Sequence, residues 1–451
     1  MIAPARQIAF RILNQMTNAD AHSDELLRSP EVDRLSAVDR NLTTTLVMGT
    51  LRWQLALDAR IRRHLARPDT RLSVEVATAL RMGAYQLLHL ERVPAYAVIH
   101  DSVELVKQGK ERVAAGMINA VLRKIQTTGP MPRATKDNTA GASAAISAHP
   151  AWMVERWVRR YGEDAAEAIC RWDQEPAGVT LRMDPGADLS QLDTEPGFFL
   201  SRARRLVCGD APRSQAPGHG AVRIQDEASQ LVAEIAAAAV EGGRSVLDTC
   251  AAPGRKTAIL AERLPEAAVT AMDVSRKRLE GMRRILPESI AGKLTFKVAD
   301  AAAMELEPEW DLILCDVPCS GTGTMARNPE IRLRLTEASL KRQQVRQAAI
   351  LRAGLKGLRP NGRLVYSTCS LEPEENEQVV EEVLREAPEF RIVPVAGILD
   401  RLLERSIVTA EGRERLRSAA PGDFLRTVPG VHPCDGFFNA VVERVPAAGR
   451  Q

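Results

Sequence analysis

Aromatic residues are scarce: eight Phe, five Trp and four Tyr make up 4% of the 451 residues. That excludes a broad platform of rings on which many nucleic-acid bases could stack. Long hydrophobic runs are missing too, and nothing approaches the ~20 uninterrupted apolar residues of a membrane span. The longest alanine-rich stretch, Val232–Val240, is short and carries Glu234. The opening MIAPARQIAF has no apolar core of a secretory signal. Cysteines number seven, odd and scattered, which argues against a disulfide framework and for reduced thiols in a cytoplasm. Net charge is nearly absent, with 61 Lys and Arg against 58 Asp and Glu. Secreted and membrane proteins are thereby disfavoured.

What is present suits ordinary domains. Hydrophobic residues form 45% of the chain and charged residues 26%, enough to build full-sized cores without a metal or disulfide staple. The length corresponds to roughly three domains at ~150 residues each. Charge is uneven: residues 1–130 hold 18 Lys and Arg against 13 Asp and Glu. Basic clusters recur at Arg276, Lys277, Arg278, Arg283, Arg284 and at Arg332, Arg334, Lys341, Arg342, Arg346. Such clusters suit phosphate backbones, although a solvated helix face has the same composition.

Residues 1–126 read as helical. Ile8, Ile12, Leu13 and Met16 share one face; Leu42, Leu46, Trp53, Leu57, Ile61 and Leu65 recur at helical spacing. Ser36 and Asp39 form a capping signature ahead of the second run. Residues 127–150, rich in Thr, Ala, Gly, Ser and Pro, read as a flexible linker. Residues 151–229 read as a small α+β module. From 230 to 447, strands and helices alternate. The strand-like runs are Ser245–Asp248, Val269–Asp273, Leu294–Val298, Asp311–Asp316 and Gly362–Ser367, with Phe437–Val445 expected at the sheet edge. This pattern predicts a doubly wound, mostly parallel sheet whose ligands bind at the carboxyl ends of its strands.

The first of these strands runs into Cys250, Ala251, Ala252, Pro253, Gly254, Arg255 and Lys256 before a helix. Small residues there let the backbone approach a ligand at a helix N-terminus. A phosphate loop needs Gly directly before Lys, which Arg255 prevents, and a dinucleotide G-x-G-x-x-G is missing. A purely structural turn is the plain alternative. Asp273 closes the next strand, where a carboxylate would grip ribose hydroxyls. Asp300 follows the third, in reach of an adenine amino group. Three consecutive strand ends with this chemistry fit S-adenosyl-L-methionine.

Two further strand ends carry thiols, Cys319 after Asp316-Val317-Pro318 and Cys369 in Thr368-Cys369-Ser370. Neighbouring strands lie about 4.8 Å apart, so both thiols would face the crevice. Cys170, Cys208, Cys315 and Cys434 read instead as small buried hydrophobes. Zinc is disfavoured, because Cys315 and Cys319 lack a second close ligand pair. A thiolate adding to C6 of cytosine makes C5 nucleophilic, and another group must then help the thiolate leave. Asp316 could bind the base near N3.

The runs Cys250–Thr257, Asp316–Gly323 and Thr368–Ser370 resemble the RNA cytosine-C5 methyltransferases of the Nol1/Nop2/Sun group. Gln225–Ser229 and Asp435–Phe438 resemble that family's flanking signatures. Ile99–Lys107 and Ile118–Arg123 resemble a NusB-type RNA-binding helical domain. Together they cover nearly the whole chain outside 127–150. The resemblance implies that Cys369 is the nucleophile, that Cys319 assists product release, and that Asp316 and Lys256 belong to the catalytic set. It puts cofactor contacts on Cys250–Lys256, Asp273, Asp300 and Asp316.

The implied fold is a Rossmann-like class I methyltransferase domain preceded by an all-α NusB-like domain and a small α+β module. The implied partner is 16S rRNA, naked or in early assembly, methylated at cytosine 967 by a monomer needing neither metal nor membrane. The competing readings are an inactive RNA-binding or antitermination-type factor, opposed by the intact thiols, and a DNA cytosine methyltransferase, opposed by the second thiol and the helical domain. One departure stands out: Arg255 replaces the family's usual Gly. A left-handed conformation there would strain Arg255 by roughly 1–2 kcal/mol and weaken cofactor binding.

Overall fold

The computed structural model describes residues 2–446 except 18–20, 130–146, 185, 188–189, 191, 209–221 and 241. Most of the expected linker therefore lies outside the described residues, as does the side chain of Cys208; Ala148 and His149, just beyond residue 146, are buried. The chain forms two units. One comprises Met1–Pro176 with Met325–Arg334, and the other Ala177–Thr324 with Leu335–Gln451.

In the first unit the helices Pro4–Gln15, Ala37–Arg62, Val74–His89, Ala95–Lys107 and Ala115–Gln126 follow the apolar periodicity of the sequence. Ile8, Ile12, Leu13, Met16, Leu46, Leu57 and Ile61 share one core. Ser36 Oγ accepts from the Asp39 N–H at 3.1 Å, capping the longest helix as expected. The helices Ala151–Tyr161 and Glu163–Gln174 also belong here.

The segment Met325–Arg334 is pinned into this unit by two arginines of the second basic cluster, which serve neither a phosphate surface nor a solvated face. Arg332 is 2% exposed and donates to the carbonyls of Arg52 and Asp173. Arg334 donates to the Ala21 and Met16 carbonyls at 2.6 and 2.9 Å. These two arginines are structural donors, because buried carbonyls need partners. Lys341, Arg342 and Arg346 are exposed, as are all five basic residues of 276–284.

In the second unit a small antiparallel sheet has the order β2-β3-β1-β4, with β1 (Thr180–Met183), β2 (Asp193–Pro196), β3 (Ala203–Cys208) and β4 (Val222–Ile224). Buried Arg182 of β1 binds Glu234 at 2.5 Å and Glu262 at 3.0 Å, tying this sheet to the helices Glu227–Ala239 and Arg255–Arg263.

The larger sheet contains β5 (Ser245–Asp248), β6 (Ala268–Asp273), β7 (Leu294–Val298), β8 (Trp310–Asp316), β9 (Leu358–Thr368), β10 (Phe390–Val393), β11 (Leu425–Arg426) and β12 (Phe438–Arg444). Its order is β10-β12-β9-β8-β5-β6-β7, with β11 also paired to β12. The pairs among β5 to β9 are parallel, and those of β12 antiparallel. Both faces are apolar, and side chains alternate between them. Val246, Leu312, Leu314, Val365 and Val441 enter one core; Leu247, Ile313, Cys315, Leu364 and Tyr366 enter the other. The apolar run expected to close the sheet lies inside it: β12 has β9 on one side and β10 beyond it. Phe390–Val393 is the true edge, a strand with no fully buried residue.

Candidate active site

The parallel strands β5, β6 and β8 deliver Asp248, Asp273 and Asp316 to one end of the sheet. After β5 the chain turns sharply. Ala251 N–H donates to the Met272 carbonyl at 2.8 Å, and Gly254 takes φ 97° before the helix Arg255–Arg263 begins. A Cβ on Gly254 would lie 2.6 Å from Met282, so glycine is required by conformation and by space. Arg255 is the first helical residue, and the only positive-φ residues other than glycine among those described are Asn361 and Ser406. The expected strain at Arg255 is therefore corrected: the turn needs one left-handed residue, and Gly254 supplies it.

Asp273 is 2% exposed. It accepts from the N–H groups of Ala252 at 3.3 Å and Ser275 at 2.9 Å, and Arg278 lies 3.3 Å away. A carboxylate has about four acceptor sites, so capacity remains for a hydroxyl. Asp248 is buried, accepts from the Thr257 hydroxyl at 2.7 Å, and leaves Oδ1 without a protein partner. Burial pushes its carboxyl up to about 7. An orphaned buried polar atom, a glycine turn and a buried carboxylate together fit a nucleoside-bearing cofactor. Asp300 is exposed, and its Oδ1 accepts from Ala302 N–H at 3.0 Å. Cys250 is part-buried, with its thiol pushed up by burial.

The thiols meet. β8 and β9 are parallel neighbours, and Cys319 Sγ lies 3.3 Å from Cys369 Sγ. Cys319 is held well above the usual thiol range by its hydrogen bond with Cys369, then by desolvation. Lys256 Nζ donates to Asp316 Oδ2 at 2.6 Å. Gly323 N–H donates to the Cys369 carbonyl at 2.9 Å, and Gly436 N–H donates to the Gly323 carbonyl at 2.8 Å. The loops bearing Cys319, Cys369 and Phe437 are thus laced together. Cys170, Cys315 and Cys434 are buried, as expected of packing residues.

Residues 235–443 match the family described as 16S rRNA methyltransferase RsmB/F, and residues 3–127 match the NusB family. Residues 149–186 match the ferredoxin-like domain of RsmF/B-like methyltransferases. A Bacillus subtilis protein named "Probable ribosomal RNA small subunit methyltransferase B" is 31% identical, over 96% of this chain and 97% of its own length. The chain belongs to the RsmB/F family of rRNA methyltransferases. Ribosomal RNA small subunit methyltransferase B of Xanthomonas campestris is 32% identical over 90% of this chain and 89% of its own. In fold, this RsmB/F-family chain resembles the solved protein PH0851, with a TM-score of 0.75 at 22% identity over 98% of this chain and 99% of that one.

Sequence reasoning passed over one group in this RsmB/F-family site. Glu375, 0% exposed, accepts from four donors: Ser320 N–H at 2.8 Å, Gln347 Nε2 at 3.0 Å, the Ser370 hydroxyl at 2.5 Å and the Ser320 hydroxyl. Its run Glu372-Pro373-Glu374-Glu375 looks like an acidic, solvated helix start. The available signal was Pro373, which marks a turn close behind Cys369. Phe437, part of the flanking signature, places its ring centroid 5.1 Å from Lys256 Nζ.

Proposed function

We propose that this methyltransferase places a methyl group on C5 of a cytosine in 16S rRNA, at cytosine 967, through a covalent bond between Cys369 and C6. The 3.3 Å approach of Cys319 to Cys369 carries the reading. A reaction that only needed a methyl donor and a base contact would require no thiol; one that adds and then eliminates a nucleophile benefits from two. S-adenosyl-L-methionine is the methyl donor, and when bound it supplies an electrophilic methyl on a sulfonium. The turn Cys250–Lys256 with Asp273 and Asp300 would hold it.

In this reading Cys369, as thiolate, adds to C6, and the displaced π electrons make C5 nucleophilic. Asp316, oriented by Lys256, binds the base edge near N3. After methyl transfer the C5 proton leaves to a base, C5=C6 re-forms, and the C6–S bond breaks to return the Cys369 thiolate. Cys319 assists that departure. A cytosine in paired RNA would first have to be flipped from its stack. The NusB-like residues 1–126 are assigned to RNA binding.

Bisulfite mapping of 16S rRNA from a strain lacking the gene tests the assignment. We expect one protected cytosine, at 967, to become convertible and to be protected again by the intact gene. Full conversion of that cytosine in the parent strain would overturn the reading.

A further inference from the structure

The structure assigns to Glu375 the role of positioning residue for the thiol pair: it fixes both cysteine loops and keeps Cys319 as an S–H donor to the Cys369 sulfur. This inference rests on the thiol-pair reading above and extends it to a residue outside the two cysteine motifs. Glu375 sits in a short turn just before the helix Glu377–Arg385. Its carboxylate reaches sideways to the residue following each cysteine.

One oxygen accepts from Ser320 N–H and from Gln347 Nε2; the other accepts from the Ser320 and Ser370 hydroxyls. The two hydroxyls are themselves 3.0 Å apart. Gln347 also donates to the Pro318 carbonyl at 2.9 Å, gripping the Cys319 loop on its other side. Removing this carboxylate would leave a set of buried donors without their acceptor, and the two loops would lose their common anchor.

The charge has a second effect. A buried anion beside Cys319 disfavours a thiolate there, and Glu375 is among the groups that raise this thiol. A protonated Cys319 at 3.3 Å can donate its S–H to Cys369. That hydrogen bond stabilises the Cys369 thiolate before attack and again as the C6–S bond breaks. The proton stays on Cys319 throughout, so no net transfer is required of it.

The test uses the full-length protein, 16S rRNA transcript and Glu375→Gln, which keeps size and one acceptor but removes charge. We expect Cys319, followed by iodoacetamide labelling and peptide mass spectrometry, to be alkylated at a lower pH than in the parent. We expect turnover to fall roughly tenfold or more and denaturant-resistant protein–RNA adduct to accumulate, because departure of Cys369 is slowed. An unchanged labelling profile with unchanged turnover overturns the inference. Should Glu375→Gln fail to fold, the double variant Ser320→Ala/Ser370→Ala decides. It keeps the carboxylate but cuts both hydroxyl links, and we expect adduct to accumulate; parental turnover without adduct counts against Glu375. Cys369→Ala, run in parallel, separates the two claims: if it still methylates cytosine, the thiol-pair reading itself has failed.

Discussion

Lys256 and Asp316 meet head to head, with Nζ donating to Oδ2 at 2.6 Å beyond the carboxyl ends of the paired strands β5 and β8. Both side chains are largely buried, at 13% and 27% exposure. The lysine follows the Gly254 turn by two residues, and the aspartate ends its strand. The same turn that shapes the expected cofactor cradle therefore aims the carboxylate assigned to the base. In the proposed reading, cofactor and base contacts would be linked through this one charge-assisted bond.

Asp316→Asn should lower single-turnover methyl transfer by about 10²–10⁴-fold, the usual range for a positioned acid–base group. Lys256→Met, which leaves the carboxylate but removes its guide, should cost less. Rapid-quench assays with labelled cofactor measure both. A parental rate in Asp316→Asn would remove this carboxylate from the chemistry.

Asp273→Ala should weaken S-adenosyl-L-methionine binding by about 1–3 kcal/mol, because it strips a charged acceptor from buried hydroxyls. The backbone donors of Ala252 and Ser275 lose their acceptor in the same substitution. Isothermal calorimetry reads the affinity directly, and an unchanged Kd would exclude Asp273 from the cofactor site.

The sheet and its site were legible for one physical reason. Strands buried on both faces read as continuous apolar runs, and each ends in a residue that packing does not demand: Asp248, Asp273, Asp316, Cys369. Buried polar anchors were not legible. Glu375 and Arg332 are charged residues in stretches whose composition is that of a solvated surface, and only tertiary partners reveal them. Phe390–Val393 is not legible because, unlike the equally short Ser245–Asp248, none of its residues is fully buried, so its apolar signal is weak beside the helices around it.

Stability should depend on Asp248 in an unusual direction. In the unfolded chain its carboxyl ionises near pH 4, whereas in the fold it holds its proton up to about 7. Between those values the folded state binds the extra proton, so this group's contribution falls as pH rises and is lost above about 7. Asp248→Asn stays neutral throughout. The melting temperature of the variant minus that of the parent should therefore climb from pH 5 to pH 8; a difference that stays constant contradicts the burial argument.

Two sets of basic residues should respond differently to substitution. Arg332→Met removes a guanidinium that serves buried carbonyls, and should destabilise the protein by about 2–4 kcal/mol in urea unfolding. Lys277→Ala with Arg284→Ala, both exposed, should leave unfolding alone and flatten the salt dependence of RNA binding, as fewer counterions are released. An unaltered salt slope in the double variant would remove Lys277 and Arg284 from the RNA surface.

The two thiols should separate in time. If Cys369 adds to C6, Cys369→Ala abolishes methyl transfer and forms no adduct, because C5 is never activated. If Cys319 assists the later departure, Cys319→Ala still attacks and still methylates. It then fails to release its product, and a covalent protein–RNA complex accumulates that survives denaturant. The 3.3 Å separation makes this a stringent comparison, since the distance between the sulfurs does not by itself choose between them. The direction of the Cys319 shift favours this order: its contact with Cys369 and its burial push the thiol up, and a protonated thiol is a poor nucleophile. Denaturing gels with substrate RNA resolve the outcomes. We expect adduct with Cys319→Ala alone; adduct with Cys369→Ala alone would reverse the two roles, and adduct with neither would remove covalent catalysis from the site.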